Sequence, residues 1–175
     1  MKTLLRIVLS FVAILAILIL GAFAVGSTMP VNHSISVSGV VAAPPQAVFA
    51  RITNFSAASS WRPEVHSVTT LPQDNSRDAW VEDLGHGVTM KFLAINTVPV
   101  GPDGHGLRQV KLDDAQYGGT WTYDISAGPT SGTTLLKITE DGYINPPLYR
   151  FMMAHVFGPT KNLQDYMNHI QAAAK

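Results

Sequence analysis

Between residues 65 and 141 the chain offers six short alternating segments separated by glycine- and proline-rich turns, with no stretch of helical spacing among them. The segments cover 65–71, 78–84, 88–98, 107–113, 119–127 and 133–141. Gly85-His86-Gly87, Gly101-Pro102-Asp103-Gly104 and the run from Gly128 to Gly132 punctuate them. Consecutive strands at this spacing, without a helical crossover, pair as antiparallel hairpins. Any fold for this chain therefore has to be built on an antiparallel sheet.

The flanks supply what the sheet must bury against. In 33–41, Ser34, Ser36 and Ser38 alternate with Ile35, Val37 and Gly39, which predicts a strand with one covered face. Ala43-Pro44-Pro45 ends it, and Val48, Phe49 and Ile52 fall on one side of a short helix with proline in its first turn. Residues 54–60, rich in serine and alanine, predict a second small helix or turn before Trp61. From Asn145 to the C-terminus, Leu148, Met152, His155/Val156, Leu163, Tyr166/Met167 and Ile170 recur at helical spacing. Asn145 is expected as the N-cap and Pro146 at the first helical position. Gly158-Pro159 interrupts the pattern, and a kink is expected there. The stripe is soft, with Phe151, Met152, Met153, Phe157 and Met167, and suits either ordinary core packing or the wall of a ligand cavity. One strand, two small helices, six strands and a long helix make an α+β domain.

Residues 7–25 are broken only by Ser10, Gly21 and alanines, and they follow Lys2 and Arg6. At about 1.5 Å per residue such a helix reaches roughly 30 Å, enough to cross the hydrocarbon layer. Basic residues at the start place the N-terminus in the cytoplasm and the remainder outside it. A cleaved signal peptide also fits, with Ala22-Phe23-Ala24 as the small-residue site. The expected division is a single-pass anchor or signal segment at 1–25, a polar linker at 26–32 and one domain at 33–175.

Twelve basic and twelve acidic residues leave no net charge, and no basic patch of the kind that holds nucleic acid. Without cysteine the fold rests on neither disulfides nor thiolate ligands, and no cysteine nucleophile exists. His33, His66, His86, His105, His155 and His169 are scattered without metal-ligand spacing, so neither a metal nor a cofactor is expected. Neither a phosphate-binding glycine loop nor a G-x-S-x-G elbow occurs.

Strand alternation assigns faces. Lys91 outward turns Met90, Phe92 and Ala94 inward together with Val88; Asp124 outward turns Trp121, Tyr123 and Ile125 inward; Lys137 outward turns Leu136, Ile138 and Glu140 inward. Trp80 inward carries Glu82 with it, and Val110 with Leu112 inward carries Arg108. Three charged side chains thus enter an apolar face, which is costly unless they are paired or hydrated. Arg108 is expected to pair with Glu82 or Glu140. The three are either ion-paired strand-end residues or the few polar contacts of a cavity.

The phrases Ala43-Pro44-Pro45-Gln46-Ala47-Val48-Phe49 and Trp61-Arg62-Pro63-Glu64-Val65 resemble the opening of the START-like (SRPBCC) superfamily, polyketide cyclase/dehydrase type. Trp80-Val81-Glu82, Gly118-Gly119-Thr120-Trp121-Thr122-Tyr123, Ile138-Thr139-Glu140-Asp141-Gly142 and Asn145-Pro146-Pro147-Leu148-Tyr149-Arg150-Phe151 with Phe157-Gly158 follow in the same order. The resemblance implies a helix-grip fold, a seven-stranded antiparallel sheet curled around the C-terminal helix with a cavity between, here preceded by a transmembrane helix. It implies a lipid, sterol, polyketide-like or other apolar ligand, and carries over no catalytic set. The expected site combines Trp80, Glu82, Met90, Phe92, Arg108, Trp121, Tyr123, Glu140, Met152, His155 and Phe157. The leading expectation is a membrane-tethered binding or carrier domain for a hydrophobic small molecule. The alternatives are a cyclase, dehydrase or hydrolase using Glu82, Glu140 or His155 as acid or base, and an interaction module whose cavity is filled.

Overall fold

The computed structural model describes residues 2–174. Helix α1 (Lys2–Thr28) is followed by β1 (Asn32–Val41), α2 (Pro45–Thr53) and a 3-10 helix at Phe55–Ser60. Six strands come next: β2 (Ser67–Asp74), β3 (Arg77–Asp83), β4 (Thr89–Val98), β5 (Gly106–Asp113), β6 (Tyr117–Ala127) and β7 (Thr134–Ile144). The C-terminal part comprises α3 (Pro147–Met152), a π-helical turn at Met153–Phe157 and α4 (Lys161–Ala173).

All seven strands form one antiparallel sheet in the order β1-β7-β6-β5-β4-β3-β2. The six later strands run as successive hairpins, glycine-rich turns joining β3 to β4, β4 to β5 and β6 to β7. Asn75-Ser76 at positive φ joins β2 to β3, and Asp114-Ala115-Gln116 joins β5 to β6; β1 adds at the far side of β7. Helix α4 lies across the inner face. Its Leu163, Met167 and Ile170 meet Ile125, Leu136 and Ile138, all at most 1% exposed. Each such side chain stabilises the fold by about 1.5–3 kcal/mol through burial. Where α4 crosses β1, a Cβ at Gly39 would lie 2.8 Å from the Met167 sulfur. The Gln171 amide donates to the Val40 carbonyl beside it, at 3.0 Å.

The C-terminal stretch departs from a single kinked helix. Pro146 with extended backbone is the N-cap and Pro147 opens α3, one position later than expected, while the Asn145 amide donates to the Ala115 carbonyl instead. At Gly158 the chain adopts φ 89°, a conformation natural only to glycine, so the helix ends and α4 begins afresh. The intervening π turn closes i→i+5 bonds, which rotates side chains off the three-and-four stripe.

At the other end, α1 runs on through Thr28, so most of the expected linker is either helical or the three residues Met29, Pro30 and Val31. The last turn of α1 sits on α3. Gly26 is buried, and a Cβ there would fall 1.9 Å from the Pro147 carbonyl oxygen. The Arg150 guanidinium, 8% exposed, donates through Nε to the Gly26 carbonyl at 2.9 Å and through Nη1 to the carbonyls of Ile144 and Asn145. Three carbonyls on two segments thus share one cation.

Candidate functional site

A cavity of about 1080 Å³ lies between the inner face of the sheet and the C-terminal helices. Apolar ligand sites typically run from about 300 to 1,000 Å³, so this cavity is at the large end of that range. Alternation along the strands places its floor: Trp80 and Glu82 from β3, Met90 and Phe92 from β4, Val110 and Leu112 from β5, Trp121 and Tyr123 from β6. Met152, Met153 and Phe157 roof one side, and Tyr166 from α4 another.

Two aromatic groups build the walls. Phe55 stacks on Trp80 at 4.5 Å between centroids, and Trp80 on Phe92 at 5.4 Å. Tyr166 packs edge-on against Trp61 and Trp121 at 5.2 and 5.8 Å and lies 5.2 Å from Tyr123. Such pairs add about 0.5–1.5 kcal/mol beyond their burial and hold the rings in fixed orientations. Burial pushes the Tyr166 phenol up to about 12 and the Tyr123 phenol well above its ordinary value, so both stay neutral.

One polar chain crosses this greasy space. Arg62, in the turn after the 3-10 helix, places Nη1 3.0 Å from the Glu82 carboxylate and donates through Nε to Glu64 at 2.8 Å. The Trp80 indole N–H donates to Glu82 at 3.2 Å, and His169 on α4 comes within 3.3 Å of Glu64. The guanidinium also lies 5.3 Å from the centre of the Tyr166 ring. Burial alone would lower the Arg62 pKa, but the Glu82 carboxylate, then the Tyr166 phenol and the Glu64 bond, outweigh it and hold it above the usual arginine value. Arg62 therefore remains charged at every working pH. On the opposite wall Glu140 faces His33 at 3.4 Å.

Of the residues singled out in the sequence, Trp80, Glu82, Met90, Phe92, Trp121, Tyr123, Glu140, Met152 and Phe157 line this cavity. Arg108 and His155 do not. Arg108 is inward and buried, but it pairs with neither Glu82 nor Glu140: it reaches Asp78 at 3.4 Å and the Thr97 hydroxyl. Register explains the difference. Arg108 stands opposite Thr97 and Glu82 opposite Met90, seven residues away along β4. At about 3.3 Å per residue that is roughly 23 Å, far beyond an arginine's reach. His155 is exposed against Phe151, because the π turn swings it outward, which removes it as a cavity acid or base. Val88, expected inward, is exposed just before β4 begins. The sequence reading missed Arg62, Glu64 and His169, which lie outside strand alternation or on the flank of the helical stripe. The adjacent Trp61 and Pro63, breaking a polar run, were the available signal.

A seven-stranded antiparallel sheet gripping C-terminal helices around an aromatic cavity agrees with a family match over residues 32–160, described as polyketide cyclase/dehydrase and lipid transport. The chain belongs to this family. Solved structures share the fold. The Helicobacter pylori protein jhp0584 is 9% identical, with a TM-score of 0.65 over 82% of this chain and 88% of that one. The ZhuI aromatase/cyclase from Streptomyces sp. R1128 is 13% identical, with a TM-score of 0.62 over 82% and 93%. A START superfamily protein from Mycobacterium smegmatis is 20% identical, with a TM-score of 0.53 over 81% and 93%. No curated protein matches the sequence. Outside the matched residues, α1 is long and apolar enough to cross a membrane, with a mean hydropathy of 3.0 over its most apolar stretch.

Proposed function

We propose that the protein is a membrane-tethered binding or carrier domain for a hydrophobic small molecule of lipid, sterol or polyketide-like class. In this reading α1 is the anchor and residues 33–175 form the ligand-binding domain, held outside the cytoplasm. The observation that carries it is the open volume of about 1080 Å³ walled by Trp80, Phe92, Trp121, Tyr166 and Met152. Filling such a space with apolar surface gains roughly 25 cal/mol per Å² removed from water, without any chemistry. An interaction module would have no use for the unfilled space. The buried Arg62–Glu82 pair gives the cavity one fixed dipole with which to orient a polar end of the ligand.

The test is photoaffinity labelling of the full chain in phosphatidylcholine vesicles, using diazirine-bearing fatty acyl and sterol probes, with cross-linked peptides mapped by mass spectrometry. Labels on strands β4 and β6 and on α3 are expected, and competition by unlabelled ligand should remove them. Labels confined to α1 would overturn the reading.

A second reading rests on the carboxylate–imidazole pair of Glu140 and His33 in the wall of the cavity. There Glu140 would serve as a general base toward an enolisable ligand, as catalytic carboxylates do in apolar pockets. Turnover of a polyketide-like probe lost in Glu140→Gln, with labelling retained, would favour it.

A further inference from the structure

The seat of α1 on α3 fixes where the cavity opens. Counting the uncharged residues 7–25 as the membrane-crossing part gives a span of roughly 28 Å at 1.5 Å per residue, close to the hydrocarbon thickness. Gly26 is then the first residue past the hydrocarbon, and it is the residue whose carbonyl Arg150 grips and whose missing side chain lets Pro147 in. The headgroup layer is roughly 5–8 Å deep on each side, so α3, packed directly on Gly26, lies within it.

Around this seat the surface is apolar where a water-facing helix would be charged. Tyr149, Val156 and Phe157 are 48%, 58% and 52% exposed, with His155 the one exposed polar side chain of the π turn, and Val31, between α1 and β1, is 40% exposed. Tyr149, Phe157 and Val31 also line the cavity, as do Met29 and Pro30, which join α1 to β1. The same residues therefore form the rim of the opening and the surface nearest the bilayer. The segment that carries them has the makings of a hinged flap: a π turn at Met153–Phe157 and then Gly158 at φ 89°.

We infer that the α3 and π-turn rim is a bilayer-facing portal, held at headgroup depth by the Gly26–Arg150 seat, through which the ligand passes sideways between the outer leaflet and the cavity. The occupant of the exposed apolar rim is the lipid surface that α1 itself crosses. The ligand never crosses bulk water, and the domain does not swing freely on a tether. The portal rests on the reading of α1 as a bilayer span and of the cavity as an apolar ligand site.

Because the chain has no cysteine, single labelling sites are clean. The full chain carrying Val156→Cys with an environment-sensitive NBD label is reconstituted in phosphatidylcholine vesicles containing lipids with a nitroxide near the headgroup. Lys137→Cys, on the outward face of β7, is the reference. Val156 does not line the cavity, and photoprobe labelling of β4 and β6 is read in the same NBD-labelled chain so that capture and quenching are compared directly. Most of the Val156 emission is expected to be quenched while that at Lys137 persists. Adding Gly26→Val, which pries α3 off its seat, should restore most of the lost emission and slow, without abolishing, photoprobe labelling of β4 and β6. Equal, weak quenching at both sites with cavity labelling retained would overturn the portal and leave the binding function standing. Quenching at Val156 without cavity labelling would leave the orientation standing and remove its cargo.

Discussion

Breaking the Arg62–Glu82 pair from either side, and then from both, tests whether the polar chain in the cavity is a coupled unit. Glu82 is 3% exposed and the Arg62 side chain 15%, with 3.0 Å between their charged atoms. At an effective dielectric of about 20, the gross attraction at that distance is roughly 5 kcal/mol, much of it offset by desolvation. Removing one partner strands the other. Arg62→Met leaves Glu82 with the Trp80 indole alone, and Glu82→Gln leaves Arg62 with the half-exposed Glu64. Each should cost about 3 kcal/mol, the lower end for breaking a buried pair because Arg62 keeps some water and a second carboxylate. The double variant strands no charge, and its cost should fall short of the sum by about 2–3 kcal/mol. Urea unfolding of the full chain in mild detergent can be followed by tryptophan emission, since Trp61, Trp80 and Trp121 all wall the cavity. Costs that add to within about 0.5 kcal/mol would show that the two side chains act independently and refute the coupled chain.

Other consequences follow from single residues. The Tyr166 phenol, raised by burial from 10.0 to about 12, contributes stability that is complete below pH 10 and lost as pH rises toward 12. Relative to Tyr166→Phe, the native chain should therefore lose about 2–3 kcal/mol between pH 9 and pH 12, read from urea midpoints; a constant gap would contradict the burial of a neutral phenol. Leu112→Trp fills the cavity floor away from the ion pair, so probe labelling of β4 and β6 should fall at least tenfold while the urea midpoint barely moves. Gly158→Ala places a side chain at φ 89° and should cost about 1–2 kcal/mol in thermal unfolding, since the open surroundings leave backbone strain as the main term.

The sheet was legible because turn chemistry is local. The glycine clusters at 85–87, 101–104 and 128–132 bracket strands whose ends fall within a few residues of those expected, and the outward Lys91, Asp124 and Lys137 reveal the inner face. The break at Gly158 was legible for the same reason, although its form was not: a π turn leaves no mark in three-and-four spacing, and His155 was misplaced with it. Arg108 was given the right face and the wrong partner, because alternation fixes which way a side chain points but not the register between strands. Arg62 escaped notice because a lone arginine in a turn has no period, and its partner Glu82 is 20 residues away. Arg150 was hidden in an apolar helical stripe, with its acceptor on a helix 124 residues earlier.

That separation carries a cost during biosynthesis. β1 finds its strand partner in β7, at a separation of 107 residues in the Ser34–Asp141 bond, and Arg150 reaches Gly26 only after β7 is complete. Nothing just beyond α1 can settle until the chain is nearly finished, so the greasy half-sheet emerges with its closing pieces missing. Loop closure over such distances is slow, and apolar strands waiting for it invite pairing with strangers. A chain of this topology should pass through an open, aggregation-prone hand before its two ends meet.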